Sequence, residues 1–253
     1  MLAYILLFTF LGSIVSLVGG IILLFKEKFT LKVAHFLASF AAGTLLGAAF
    51  FDLLPEAAGE VHSASSGQAG VNIFSWTLIG ILAFFLLERF IHWFHHHHNH
   101  SIKNTEPTVP LIILGDSAHN FIDGVAIAAT FLVSIPLGIT TALAVAAHEI
   151  PQEIGDFGIL MHKGLPRKKI LLVNILSAAT ALIGAVGTFL LGDVIKDALP
   201  ALLSLTAGFF IYIAASDLIP EIHEENRKGF AFIESMLLFL GVGIIWVLVS
   251  ILE

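Results

Sequence analysis

The sequence predicts an all-α polytopic membrane protein with eight transmembrane helices and an inverted internal repeat. Three observations carry that expectation: a succession of apolar runs about 20 residues long, basic residues confined to alternate loops, and two related stretches at one fixed offset. Of the 253 residues 57% are hydrophobic and only 12% charged, where a soluble domain averages about 25%. The mean hydropathy is +0.96. With no cysteine, a disulfide framework and a thiolate metal site are both excluded. A net charge of −7 and a pI near 5.9 argue against nucleic acid as a partner.

The spans are expected at residues 2–25, 34–54, 73–94, 109–131, 137–161, 170–191, 199–217 and 231–252, within a single transporter domain, 1–253. The first begins at Leu2 without a basic leader and is read as a span, not a cleaved signal. The second is rich in small residues (Ala41, Ala42, Gly43) and ends on Asp52-Leu53-Leu54-Pro55-Glu56, followed by a Ser-, Ala- and Gly-rich loop at 59–70. The third runs into a His-rich loop, 95–108, that holds His95, His96, His97, His98 and His100 and can collect metal ions weakly. A link of only five residues, 132–136, makes the fourth and fifth spans antiparallel neighbours. The sixth to eighth spans are again apolar and glycine-containing, which suits close packing in a bilayer.

Orientation follows from Lys26, Lys28, Lys32, Arg89, Lys103, Lys163, Arg167, Lys168, Lys169, Arg227 and Lys228. These are eleven of the 12 basic residues, and all fall in odd-numbered loops. The positive-inside rule puts those loops in the cytoplasm and both termini outside the cell, with the inner (plasma) membrane as the location. The repeat has an offset of 165 residues. Ser39, Ala42, Gly43, Ala49, Asp52, Leu53, Pro55 and Glu56 recur as Ser204, Ala207, Gly208, Ala214, Asp217, Leu218, Pro220 and Glu221. It matches the second span, running outward, to the seventh, running inward, so spans 1–3 and 6–8 form an inverted pair around spans 4 and 5, a transporter signature.

Two polar runs interrupt spans 4 and 5: His119-Asn120-Phe121-Ile122-Asp123-Gly124 and His148-Glu149-Ile150-Pro151-Gln152-Glu153. An ionisable side chain in hydrocarbon costs about 2.5–3.5 kcal/mol on insertion scales, so a cluster of them calls for a function. Imidazole, carboxylate and amide together are a ligand set for a divalent transition metal. His119 lies about 15 Å into its span and His148 about 16 Å into the next, which puts both near the midplane. His119 and Asp123 share one helical stripe with Asp116. His148 with Gln152, and Glu149 with Glu153, share another, which Asp156 continues. Pro151 is expected to kink its helix, and Gly124 and Gly155 to let the two helices approach.

These paired runs, the eight spans, the external termini, the His-rich loop and Asp-Leu-x-Pro-Glu after span 2 resemble the ZIP (Zrt-, Irt-like) family of divalent metal transporters. The resemblance implies a helix order of three, two and three about a pseudo-two-fold axis. It implies uptake into the cytoplasm of zinc above all, with iron, manganese or cadmium as further substrates. It places His119, Asp123 and His148 on a primary metal, Asn120, Asp123 and Glu149 on an adjacent one, and Glu153 as ligand or support. Where eukaryotic members often carry histidine, this chain has Gln152, a weaker neutral ligand, so one firmly held metal is expected. Asn174 and Ser177 of span 6 are candidate pathway residues.

The expected activity is alternating access for the metal, which is substrate and not prosthetic group. Entry would be past Asp52, Glu56 and His62, and exit past Asp116 and Asp156 towards Asp217 and Glu221. Divalent metal, the bilayer and a second copy of the chain are the candidate partners. Two alternatives share the ligands. One is an intramembrane metal-dependent hydrolase, although His148-Glu149-x-x-Gln152 fails the His-Glu-x-x-His pattern. The other is a metal exporter.

Overall fold

The computed structural model of the chain describes residues 1–63, 72–96, 108–223 and 229–252, without the side chains at 28, 31, 32, 60–63, 90–96, 108 and 111. Within these residues it is helical throughout, with no strand. We label the long helices α1 (Leu2–Glu27), α2 (Val33–Gly59), α3 (Ile73–His96), α4 (Thr108–Val133), α5 (Ile135–His162), α6 (Arg167–Leu190), α7 (Gly192–His223) and α8 (Phe230–Leu252). Five of them, α1, α2, α6, α7 and α8, are long and apolar enough to cross a membrane. The polar runs interrupt the apolar sequence of α4 and α5, which have 26 and 28 residues.

Local chemistry sets the joints. The chain bends between α1 and α2 at Lys26 (φ −136°, ψ 51°). The Ser134 hydroxyl caps α5 by accepting from the Leu137 N–H at 3.2 Å, with Pro136 in the first turn, where no N–H is needed. Gly164 (φ +80°) turns the chain after α5 into Pro166, the N-cap of α6.

Asp-Leu-x-Pro-Glu does not close the second span as expected; the helix runs on through Pro55 to Ser63. A π-helical turn at Ala49–Leu53 precedes the proline, and the Leu54 N–H bonds five residues back to Ala49 O. The same device recurs 165 residues later. Ile213–Leu218 is π-helical before Pro220, and the Ile219 N–H bonds to Ala214 O. The wider turn shifts the hydrogen-bond register and leaves room for the proline ring, so the helix bends without stopping.

Glycine sets the helix pairs. A methyl group built on Gly124 of α4 would stand 1.8 Å from Ala181 O of α6, and one on Gly184 of α6 would stand 2.2 Å from Phe121 O of α4. Gly19 and Gly20 pack α1 on α5, where added methyls would stand 3.0 Å from Ile150 O and 2.4 Å from the Phe157 ring. Gly43 and Gly241 join α2 to α8, and Gly80 and Gly208 join α3 to α7. Gly19 and Gly184 stand at the repeat's offset, as do Gly43 and Gly208. Gly155, expected to admit a neighbouring helix, meets nothing within 4 Å and faces open space. The close partner of Gly124 is α6, not α5.

Gly124→Ala is expected to destabilise the protein by about 1–3 kcal/mol through overpacking. Gly187→Ala, with nothing within 4 Å of the added carbon, is expected to leave stability unchanged or slightly raised, since alanine favours helix. Thermal melts of the two variants in detergent check this; equal losses would contradict the close contact.

Candidate metal site

The centre of the bundle is where α4 and α5 face each other. His119 and Asp123 extend from α4, and His148 and Glu149 from α5. One ligand atom from each lies within 4.8 Å of all the others. The imidazole nitrogens Nε2 of His119 and His148 are 3.2 Å apart. Asp123 Oδ2 stands 3.2 Å from His148 Nε2 and 3.6 Å from His119 Nε2. Glu149 Oε1 is 3.7 Å from His119 Nε2. Zinc binds nitrogen and carboxylate oxygen at about 2.0–2.2 Å in a tetrahedron, whose ligand atoms then stand roughly 3.3–3.5 Å from one another. Four of the six separations lie at 3.2–3.7 Å, close to the edges of such a site, and the other two are within 4.8 Å.

Burial makes this a demanding arrangement. His148 and Glu149 are fully buried, and Asp123 and His119 are only 2% and 7% exposed. Among the described residues no donor is hydrogen-bonded to either carboxylate oxygen of Glu149, nor to Oδ1 of Asn120. Buried acceptors without donors are costly, and a bound cation is one way to satisfy them. His148 is held in one tautomer: its Nδ1–H donates to Ala144 O at 3.1 Å, which leaves the Nε2 lone pair aimed at the cluster.

The other expected residues take different places. Asn120 is fully buried, and its amide N–H donates to Asp116 Oδ1 at 2.8 Å and Asp116 O at 3.2 Å. Glu153 is 1% exposed, and among the described residues neither of its carboxylate oxygens meets a donor, yet it is not among the four converging residues. Gln152 joins the wall of a cleft of about 670 Å³ with Asp156, His162, Asp217 and Glu221. Asp52 is buried and Glu56 half-buried in the helix that follows the first π-helical turn. Asn174 donates to Ile170 O of its own helix. Ser177 is hydrogen-bonded to Ser117 Oγ at 3.0 Å and so ties α6 to α4. His95 and His96 end α3, and their side chains, with that of His62 and with residues His97, His98 and His100, lie outside what is described.

Several neighbours of the site were not anticipated. Phe84 of α3 lies edge-on to His119, with ring centroids 5.3 Å apart, and Phe210 of α7 lies 6.1 Å from His148. In an apolar span a phenylalanine carries no signal that it faces a ligand. Glu88 of α3, which accepts the hydroxyl hydrogen of Tyr212, did carry one: a carboxylate one turn inside an apolar helix. His162 in the cleft was legible only as a loop-side histidine.

The chain matches the family model described as ZIP Zinc transporter over residues 2–110 and 95–249. It is 33% identical over 223 residues to zinc transporter ZIP13 of Pongo abelii, covering 85% of this chain and 66% of that protein. It is 37% identical over 150 residues to zinc transporter ZIP6 of Homo sapiens, covering 56% of this chain but only 20% of that protein. Zinc transporter ZIP4 of Rattus norvegicus is 29% identical over 305 aligned residues, covering 93% of this chain and 46% of the relative. The chain thus spans about a fifth of ZIP6 and about half of ZIP4. With the family model matched along nearly its whole length, the chain belongs to the ZIP zinc transporter family.

Proposed function

We propose that the protein carries divalent transition-metal ions, zinc foremost, across a membrane into the cytoplasm by alternating access, with His119, Asp123, His148 and Glu149 as the transport ligands. The observation that carries this reading is the convergence of those four buried ligand atoms within 4.8 Å from two adjacent helices. Family membership supports the same substrate class. Asn120, Gln152 and Glu153 flank the four. The Asn120 amide steadies Asp116, and Glu153 offers a further buried carboxylate.

The architecture in this reading has eight spans in a three, two, three order about a pseudo-two-fold axis. The pairing of α4 with α6 and of α1 with α5 fits such an axis, as does that of α2 with α8 and α3 with α7. So do the two π-helical turns at one offset. The cleft lined by Gln152, Asp156, Asp217 and Glu221 lies towards the C-terminal end of α5, the end that the basic loops place in the cytoplasm. It is the proposed exit, reached past Asp116, while Asp52 and Glu56 lie on the proposed entry side. Asn174 and Ser177 then act on the path from α6, Ser177 beside Asp116. An ion entering the site exchanges its hydration shell for two imidazoles and two carboxylates. It leaves by stepping between the acidic groups of the cleft. Both termini are external, and the membrane is the plasma (inner) membrane.

Zinc uptake by proteoliposomes is expected to fall at least about tenfold in the double variant His119→Ala, His148→Ala, since no three-ligand set survives; undiminished flux would sink the ligand assignment. Zinc affinity of the purified protein, read by competition titration, is expected to weaken as pH falls from about 7.5 to about 5.5. The ion needs both imidazoles neutral and both carboxylates ionised, so protons compete with it for the same atoms. The native chain has no cysteine, so Gly155→Cys introduces one reactive thiol into the cleft. A membrane-impermeant maleimide is expected to modify it from the cytoplasmic side of oriented vesicles. Modification solely from the other side would reverse the proposed orientation.

A further inference from the structure

His119 and His148 bring the same nitrogen to the cluster but are held in different ways. The ring of His148 is pinned by its Nδ1–H bond to Ala144 O. His119 Nε2 faces His148, Asp123 and Glu149, and among the described residues its Nδ1 has no hydrogen-bond partner. Without a bond at Nδ1, an imidazole can turn about its terminal torsion, which is broad and soft. What bounds it here is Phe84 of α3. The two rings meet at 90° with centroids 5.3 Å apart, an edge-to-face geometry that aromatic pairs favour.

Phe84 is itself braced. Its ring centroid lies 5.5 Å from that of Phe209 and 5.6 Å from that of Tyr212, both on α7. The Tyr212 hydroxyl donates to Glu88 Oε2 at 2.5 Å, and Glu88 stands one turn beyond Phe84 on α3. Gly80, one turn before Phe84, lets α3 press its backbone against Gly208 of α7. The ring touching His119 therefore sits on a shelf fixed by α3 and α7, two helices that supply none of the four ligand atoms.

We infer that Phe84 is a positioning residue for the metal ligand His119, standing in for a hydrogen bond at His119 Nδ1, and that the Tyr212–Glu88 bond holds its shelf. The inference rests on reading the four-residue cluster as a metal site. It makes the aim of one ligand depend on the packing of α3 against α7.

Cobalt(II) bound to the whole 253-residue chain in detergent tests both layers, because its visible absorption is strong in a four-coordinate N/O site and weak when water enters the shell. His119→Ala is expected to abolish the four-coordinate spectrum; a spectrum indifferent to it would overturn the site reading and this inference together. Phe84→Leu keeps the apolar bulk but removes the ring edge. It is expected to dim the spectrum and weaken cobalt binding roughly three- to tenfold, the scale of an edge-to-face pair. Phe74→Leu, elsewhere on α3 and 77% exposed, is expected to leave both unchanged. A Phe84→Leu protein with native spectrum and affinity would overturn the inference while leaving the site reading intact. Should Phe84→Leu fail to fold, Tyr212→Phe, which deletes only the hydroxyl, decides. A dimmed spectrum supports the positioning role, and an unaltered one overturns it.

Discussion

Two imidazoles and two carboxylates are buried together at the centre of an apolar bundle, and much of the structure can be read as the means of making that tolerable. Each such group alone is costly in hydrocarbon. Together, at 3.2–3.7 Å from one another, they offset one another in part and leave acceptor lone pairs pointing at a common centre. The remaining demand is for positive charge. In the proposed metal role such a site would discriminate by geometry and charge at once, since a cation would exchange its water for four fixed donors.

Holding four donors in register is a packing problem, and it is solved away from the donors. Each ligand-bearing helix is gripped from behind by a partner through glycine: α4 by α6 at Gly124 and Gly184, and α5 by α1 at Gly19 and Gly20. A second set of helices, α2 with α8 and α3 with α7, closes in the same manner. In a bilayer, where hydrophobic burial between helices is weak, backbone proximity and dispersion carry association. The Ser117–Ser177 hydrogen bond and the Thr180 hydroxyl donating to Ser117 O at 2.7 Å add polar stitching at the α4–α6 seam, two residues from His119.

The π-helical turns show how a repeated sequence device acts. A proline inside a helix would ordinarily kink or end it. Here the hydrogen bond passes to the fifth residue back at both Leu54 and Ile219. The helix carries Asp52 on one side of the repeat and Asp217 on the other without being cut. Asp217 thereby reaches the cleft, whereas Asp52 is buried, so equivalent residues of the repeat stand in different environments.

Much of the fold was legible in the residues themselves, because apolar runs, basic loops and a fixed-offset repeat are one-dimensional signals. His119, Asp123, His148 and Glu149 could be singled out for the same reason: a charged or imidazole side chain is conspicuous in an apolar span. What the one-dimensional pattern could not decide was what each of seven neighbouring polar residues meets. His148, paired by spacing with Gln152, instead faces across to α4, and Asn120 turns to Asp116, because rotamer choice and helix rotation depend on contacts with other helices. Gly124 and Gly155 look alike in sequence, yet one is jammed against Ala181 and the other faces open space. Phe84 was invisible for the same reason. By itself the sequence determined composition, periodicity and the chemistry available at each depth, since those are properties of the chain. Only the tertiary structure decided which atoms meet, because ligand geometry is set by the close packing of helices distant in sequence.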